Sequence, residues 1–275
     1  MPRFAVGRVI AAGLSAVFAN LFRFLAIILA TGVPLILLLG VGAAVLWAGA
    51  IGSGPGLNVT MEGGATAVQV LFIILAVFLF LLAYFLIQAA LTYGSLQHLR
   101  GRPVAIGACF SNGFSALPRV LLASILLVVV LVLFGGVAAL IFGSLLGGLG
   151  LGGILIGLAF GAGFLYIVTL LWVFVPAIVV ERAGALECFG RSMELTKGHR
   201  WGIFGIQVLI AVANWAISFA SEALTQVAPV AGSVIDIASG LFFIALGPVL
   251  AAVGYYYLRA EKEGVAIDDV VSVFD

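Results

Sequence analysis

Residues 120–180 read VLLASILLVVVLVLFGGVAALIFGSLLGGLGLGGILIGLAFGAGFLYIVTLLWVFVPAIVV, 61 consecutive positions without a charged side chain. A bilayer core needs about 20 apolar residues of helix to cross it. The run is therefore too long for one crossing and suits two, joined by a tight turn at the GGLGLGG stretch, 147–153. Outward from it the same reading repeats. No charge falls in 24–61 or in 63–99, and 201–221 and 237–258 offer 21 and 22 uncharged residues more. Six transmembrane helices are predicted, at about 24–50, 67–97, 119–145, 152–180, 201–224 and 236–258. Pro34 and Pro176 fall inside spans one and four, where a membrane helix tolerates them. The period-2 alternation of a barrel strand is absent.

Composition agrees. The chain is 64% hydrophobic and 8% charged, with a mean hydropathy of +1.34. So few charges cannot cover a water-facing surface, which excludes a soluble enzyme. The expected fold is an all-α integral membrane protein. All 12 basic residues lie before span one, between spans two and three, between four and five, or after six. The alternate loops, 53–66, 146–153 and 225–235, carry none. The positive-inside rule then places both termini in the cytoplasm of a multi-pass protein of the cytoplasmic (inner) membrane. The first apolar run is about twice the length of a signal-peptide core, so an uncleaved span is expected there. Cys109 and Cys188 fall in segments expected to be cytoplasmic, each before a Phe, and are read as small buried apolar residues.

Three basic segments enter a span alike: FAVGRVIAAGLSAVFANLFR (4–23), PVAIGACFSNGFSALPR (103–119) and AGALECFGRSMELTKGHR (183–200). Val9-Ile10, Cys109-Phe110 and Cys188-Phe189 align, as do Gly13-Leu14, Gly113-Phe114 and Ser192-Met193. The expectation is three hairpins, each preceded by an amphipathic cytoplasmic helix, in a pseudo-threefold repeat of about 4–98, 103–180 and 183–258. Residues 1–258 form one membrane domain and 259–275 an acidic cytoplasmic tail. In the first segment Val6, Ile10, Leu14, Val17, Phe18 and Leu21 share a helical face, which suits a helix lying in the headgroup layer. In the tail, Ile267, Val270, Val271 and Phe274 make a short apolar face. Small residues recur at Ala139, Gly143 and Gly147 and at Gly153, Gly157 and Gly161. They allow close helix approach, expected within the three–four hairpin rather than at a homodimer seam.

Span five carries Gln207, Ala211, Asn214, Ser218, Ser221 and Thr225 at spacings of three and four, one polar or small seam. Hydrogen bonds to Gln88 or Tyr84 of span two account for it without a ligand. Glu222 and Asp236 are read as solvated carboxylates, not a metal site. No charged residue falls at mid-depth of a span, which disfavours an ion-coupled pump. No phosphate loop, HExxH or other metal-ligand cluster is present, and His98 and His199 lie in separate loops. Neither catalysis nor a cofactor or metal is expected.

Two stretches carry a resemblance: WVFVPAIVVERAGALECFGRSMELTKGHRWGIFG (172–205) and YYYLRAEKEGVAIDDVVSVFD (255–275). They resemble the membrane-domain family of glycerophosphoryl diester phosphodiesterases, a group that overlaps other six-span inner-membrane proteins. The matching positions are Pro176, Glu181, Arg191, Ser192, Leu195, Thr196, Lys197, Gly198 and Trp201, then Arg259, Glu263 and Gly264. Some members continue into a soluble phosphodiesterase barrel, absent here, so the resemblance implies a membrane protein and not an enzyme. Two readings of these residues stand side by side. Arg191, Lys197 and Arg200 beside Trp201 suit anionic lipid phosphates, or Glu181 and Glu263 pair with Arg191 or Arg259 and lock the collar. The leading functional expectation is a non-enzymatic membrane protein associating with phospholipid, a protein partner or a second copy of itself through this basic collar. The alternatives are a transporter or lipid-translocating protein using the polar seam, and a membrane partner of a separate phosphodiesterase. Nucleic acid is not an expected partner.

Overall fold

A computed structural model of the chain describes residues 4–52, 67–146 and 161–264. The loops at 53–66 and 147–153, Gly147, Gly153 and Gly157 of the small-residue stripes, and the apolar face of the tail lie outside the described residues. The described residues are helical and contain no strand. The helices are α1 (Val6–Ala19), α2 (Leu21–Gly52), α3 (Ala67–Leu99), α4 (Ile106–Leu146), α5 (Phe174–Glu181), α6 (Glu187–Thr196), α7 (Arg200–Thr225) and α8 (Pro229–Glu263). A helical stretch at 161–170 precedes α5 in the same span. Six segments are long and apolar enough to cross a bilayer: Leu21–Ala44, Val68–Leu99, Ile106–Leu133, Gly161–Glu181, Arg200–Thr225 and Pro229–Glu263.

The three basic segments differ from one another. The first is a separate helix, α1, which ends at Asn20; the Asn20 amide turns back to the Ala16 carbonyl at 3.2 Å and meets His98 Nδ1 at 3.0 Å. The second is not separate: α4 runs from Ile106 through Pro118 into span three without a break, an interior proline of the kind membrane helices tolerate. The third is α6 followed by a turn at 197–199. Span six also starts earlier than its charges indicate. Pro229 occupies the first helical position, which costs no hydrogen bond, and Asp236 then lies two turns inside α8. At its other end α8 continues past 258 to Glu263, so Arg259 and Glu263 stand on this helix.

Helices α3 and α8 hold the core together. The first packs on α2, α4, α5 and α8, the second on α1 and α7 as well. Buried residues concentrate at the end where the basic residues lie: Val9, Val17, Phe24, Leu91, Val249, Leu250 and Val253 in one cluster, Val173, Leu195, Ile203, Tyr255 and Leu258 in the next. Away from that end the helices turn apolar side chains outward, among them Leu71, Ile74, Val132, Leu209 and Phe219, as helices surrounded by lipid do. The most deeply buried face of α1 is Val9, Gly13, Ala16 and Val17; of the face read from the sequence, Val17 is buried, Val6, Ile10, Leu14 and Leu21 are partly buried against the same cluster, and Phe18 is 62% exposed. The reason is close approach. A methyl group at Gly13 would collide with Leu250 Cδ2 and sit 3.1 Å from its Cγ, so α1 rests on α8 through its smallest residues.

Candidate functional site

The site begins with a break in span four. The helix at 161–170 gives way to a turn at 171–173, and α5 starts at Phe174. The Phe174 N–H donates to Leu171 O at 3.2 Å instead of Leu170 O, and Pro176 has no N–H to offer Trp172. Inside a membrane a carbonyl released in this way must find another donor. The Leu170 carbonyl finds two on α6: Ser192 Oγ donates to it at 2.8 Å, and Thr196 Oγ1 lies at 3.4 Å. Both side chains are fully buried. Three of the motif positions, Pro176, Ser192 and Thr196, thus share one structural task, and α6 is tied to the span it follows.

On the next face of α6 lies an ion network. Arg191 donates to both oxygens of Glu181, Nε at 3.0 and 2.9 Å and Nη2 at 2.9 Å, and Nη2 also pairs with Glu263. Arg259 Nε holds the other Glu263 oxygen at 2.7 Å and lies 3.9 Å from Glu181. The buried Tyr255 hydroxyl donates to Glu181 at 2.6 Å and accepts from Arg259 Nη1 at 3.3 Å. Burial works against the charge on Arg191, but the two carboxylates outweigh it and hold its pKa above the usual arginine value. This clamp joins the end of α5, the middle of α6 and the end of α8. Arg182, next to Glu181, adopts a left-handed backbone at φ 55° that ends α5 and turns the chain towards α6. Arg191 is committed to carboxylates, which separates it from the other three residues of the expected lipid patch.

Those three, Lys197, Arg200 and Trp201, line a groove between span four and α7. It encloses about 510 Å³. Its apolar wall is Ala162, Leu165, Trp201 and Phe204, with Tyr166 and Thr169 on the span-four side. Gly198, at φ +93°, makes the turn that brings Lys197 and Arg200 to its mouth. Arg200 Nη1 donates to the Tyr166 hydroxyl at 2.8 Å, and its guanidinium lies 5.7 Å from that ring's centre. Arg200 Nε is buried and has no hydrogen-bond partner among the described residues. Lys197 is exposed, and Trp201, at 86% exposure, stands out from the bundle at the level of these cations. Indole side chains favour that level of a membrane.

The polar seam of α7 divides. Gln207 joins span four: Thr169 Oγ1 donates to Gln207 Oε1 at 2.9 Å, and its amide nitrogen lies 3.5 Å from the Val168 carbonyl. Its partner is therefore Thr169, not Gln88 or Tyr84. Ser221 is buried and donates to Asp236 of α8 at 3.2 Å, while Asn214 is exposed and Ser218 half-buried. Glu222 accepts from Gln226 at 3.4 Å, and no group of three metal-ligating side chains occurs among the described residues. Gly264, at φ 64°, ends α8. A second anchor was not read from the sequence. Glu261 accepts the Phe4 backbone N–H at 2.6 Å and lies 3.4 Å from His199. Tyr166, Thr169 and Tyr255 also escaped notice, each being an ordinary residue of an apolar span.

Cys188 of α6 is wholly buried, donates its S–H to the Ala185 carbonyl at 3.2 Å and has its pKa pushed up to about 11 by burial. It is a packing residue. Treatment with N-ethylmaleimide at pH 7.5 is expected to leave it unmodified in the folded protein and to modify it fully after denaturation, as mass spectrometry of the intact chain would record.

The fold and the site together define a multi-pass integral membrane protein with a carboxylate-arginine clamp and a cation-rimmed groove at one end. No family model, no curated protein and no solved structure matches the chain.

Proposed function

We propose that this is a non-enzymatic protein of the cytoplasmic membrane, with both termini cytoplasmic, that binds the phosphate of an anionic phospholipid in the groove between span four and α7. The observation that carries the reading is the groove itself, apolar along its length and rimmed by Lys197 and by Arg200, whose Nε is a buried donor lacking a partner among the described residues. A phospholipid supplies what each part lacks: phosphate oxygens for the two cations, and an acyl chain for the wall of Leu165, Trp201 and Phe204. The clamp has a supporting role in this reading, fixing α6 and so the 197–199 turn from which both cations project. The three basic segments form the cytoplasmic collar in this reading.

The test is native mass spectrometry of protein released from nanodiscs of phosphatidylcholine containing phosphatidylglycerol. The expected result is one retained phosphatidylglycerol per chain. Each basic residue near a membrane surface contributes about 1 kcal/mol of attraction to anionic lipid. Lys197→Gln with Arg200→Gln should then reduce retention about thirtyfold, the ratio that about 2 kcal/mol represents. Equal retention in that variant, or a soluble protein co-purifying in place of lipid, overturns the proposal.

A further inference from the structure

On another face of span four from the groove lies a second cavity of about 270 Å³, walled by α3, α4, the 171–173 turn and α8. At about 30 Å³ per water it has room for a small headgroup and not for a whole lipid. Its α3 wall is Tyr84, Gln88 and Thr92, at successive spacings of four on one helical face. Gln207 is bonded to Thr169, which leaves Tyr84 and Gln88 to this space. Trp172 and Pro176 of span four also line it, and Pro176 has no N–H for the Trp172 carbonyl. Gly247 of α8 completes the wall, and a Cβ there would meet nothing within 4 Å.

Thr92 is the residue that packing does not explain. It is fully buried, and its hydroxyl has no partner among the described residues. Hydroxyls inside a helix commonly turn back to the carbonyl four residues earlier. Thr31, Ser95, Ser124 and Thr169 do so, at 2.6–2.9 Å. Thr92 does not, although Ser95 is on the same helix. A buried hydroxyl is costly to leave unmade, and this one borders the cavity. Depth narrows the choice of what completes it. Thr92 lies seven residues from Leu99, the basic end of α3, about 10 Å along the axis, and Tyr84 lies about 12 Å further. Half of a bilayer core is about 15 Å. The cavity therefore begins inside the hydrocarbon and opens near its middle, beside Tyr84 and Val168, which are 43% and 36% exposed. Among the described residues no charged side chain lines it, so a phosphate at that depth would find no cation.

We propose that this cavity binds the headgroup of an uncharged lipid with a free hydroxyl, of the diacylglycerol class. The head enters from the bilayer beside Tyr84, and the acyl chains stay in the hydrocarbon. A hydroxyl both donates and accepts, which matches the wall. Thr92 and Gln88 do either, whereas the Trp172 carbonyl released by Pro176 only accepts. A headgroup of carbonyls alone, as in a quinone, brings no donor to that oxygen. The site is separate from the groove and stands whether or not an anionic lipid binds there.

The experiment places the full chain in phosphatidylcholine nanodiscs with a diacylglycerol that carries a photoreactive diazirine in one acyl chain. After irradiation the labelled peptides are mapped by mass spectrometry. Label is expected on the peptides of α3, span four and α8 that line the cavity. Excess unlabelled diacylglycerol should displace it, and excess phosphatidylglycerol should not. Gly247→Leu puts a side chain into the wall where a Cβ meets no atom, and should abolish the labelling. Gly240→Leu, seven residues earlier in α8 with equally open space, should leave it unchanged. Thr92→Val should weaken displacement by unlabelled diacylglycerol about fivefold, the worth of one hydrogen bond. Without diacylglycerol its unfolding midpoint should be no lower than wild type, since the hydroxyl has no partner among the described residues. Equal labelling of wild type and Gly247→Leu, or equal displacement in Thr92→Val, overturns the proposal. So does displacement by phosphatidylglycerol or decylubiquinone at the concentration at which diacylglycerol displaces. A lowered midpoint in Thr92→Val also overturns it, because the hydroxyl would then serve the fold and not a ligand.

Discussion

Arg191→Met is expected to lower the midpoint of thermal unfolding in mild detergent by about 5–10 °C. Breaking a buried ion pair by removing one partner costs about 3–5 kcal/mol. Arg191 is one-fifth exposed, as is Glu181, so screening reduces that to about 2–3 kcal/mol. In a chain of this size each kcal/mol moves the midpoint by roughly 2–4 °C. The chain supplies its own reporter, since its two cysteines are both buried and a thiol-reactive fluorogenic dye reads their release. Most of the loss comes from the carboxylate left behind. Glu263 keeps Arg259 at 2.7 Å, whereas Glu181 is left with Tyr255 and an arginine 3.9 Å away. Adding Glu181→Gln to Arg191→Met should therefore recover part of the stability. Arg191→Lys should not restore it, because a single ammonium cannot reproduce the fork that spans both oxygens of Glu181. An unchanged midpoint in Arg191→Met would sink the idea that the clamp holds the collar.

The spans were legible because the signal is one-dimensional: charges cannot sit in the hydrocarbon, so their gaps measure helices. Helix ends were less so. Asp236 reads as a boundary, yet α8 begins at Pro229 and carries Asp236 within it, bonded to Ser221. The clamp was half legible, since Glu181 with Arg191, and Arg259 with Glu263, stood out as two short charged groups in a mostly neutral chain. Spacing alone left open whether the arginines faced carboxylates or lipid, and their separations of 10 and 72 residues contain no local rule. The Leu170 carbonyl was invisible. Nothing in its own side chain announces that the turn at 171–173, just before α5, will release it, or that Ser192 and Thr196 will reach it from another element. The groove combines both cases. Lys197, Arg200 and Trp201 were readable as a basic, interfacial cluster, but the opposing wall of Ala162, Leu165 and Tyr166 is made by an apolar span indistinguishable from its neighbours in sequence.

Two glycines of α8 separate packing from propensity. At Gly232 a Cβ would lie 2.6 Å from the backbone nitrogen of Thr225 and 2.7 Å from its Cα, besides colliding with its hydroxyl. These are main-chain atoms at the end of α7 and cannot swing aside as the tip of a side chain can. At Gly240, in the same helix, a Cβ meets nothing within 4 Å. Gly232→Ala should therefore push α7 and α8 apart where they meet, at the upper end of typical overpacking costs, about 3 kcal/mol, which lowers the unfolding midpoint by roughly 6–12 °C. Gly240→Ala should instead raise it slightly, since alanine is favoured over glycine in a helix by about 0.5–1 kcal/mol. The separation also reaches a hydrogen bond between the helices. Ser221 is one turn below Thr225, and its bond to Asp236 needs the two helices at their present distance. Gly232→Ala is expected to disturb this bond, while lipid retention at Lys197 and Arg200, about 40 Å of helix away, persists. Equal midpoints for the two glycine variants would mean that α7 and α8 are not in close contact at this turn, and Ser221 would lose its place beside Asp236.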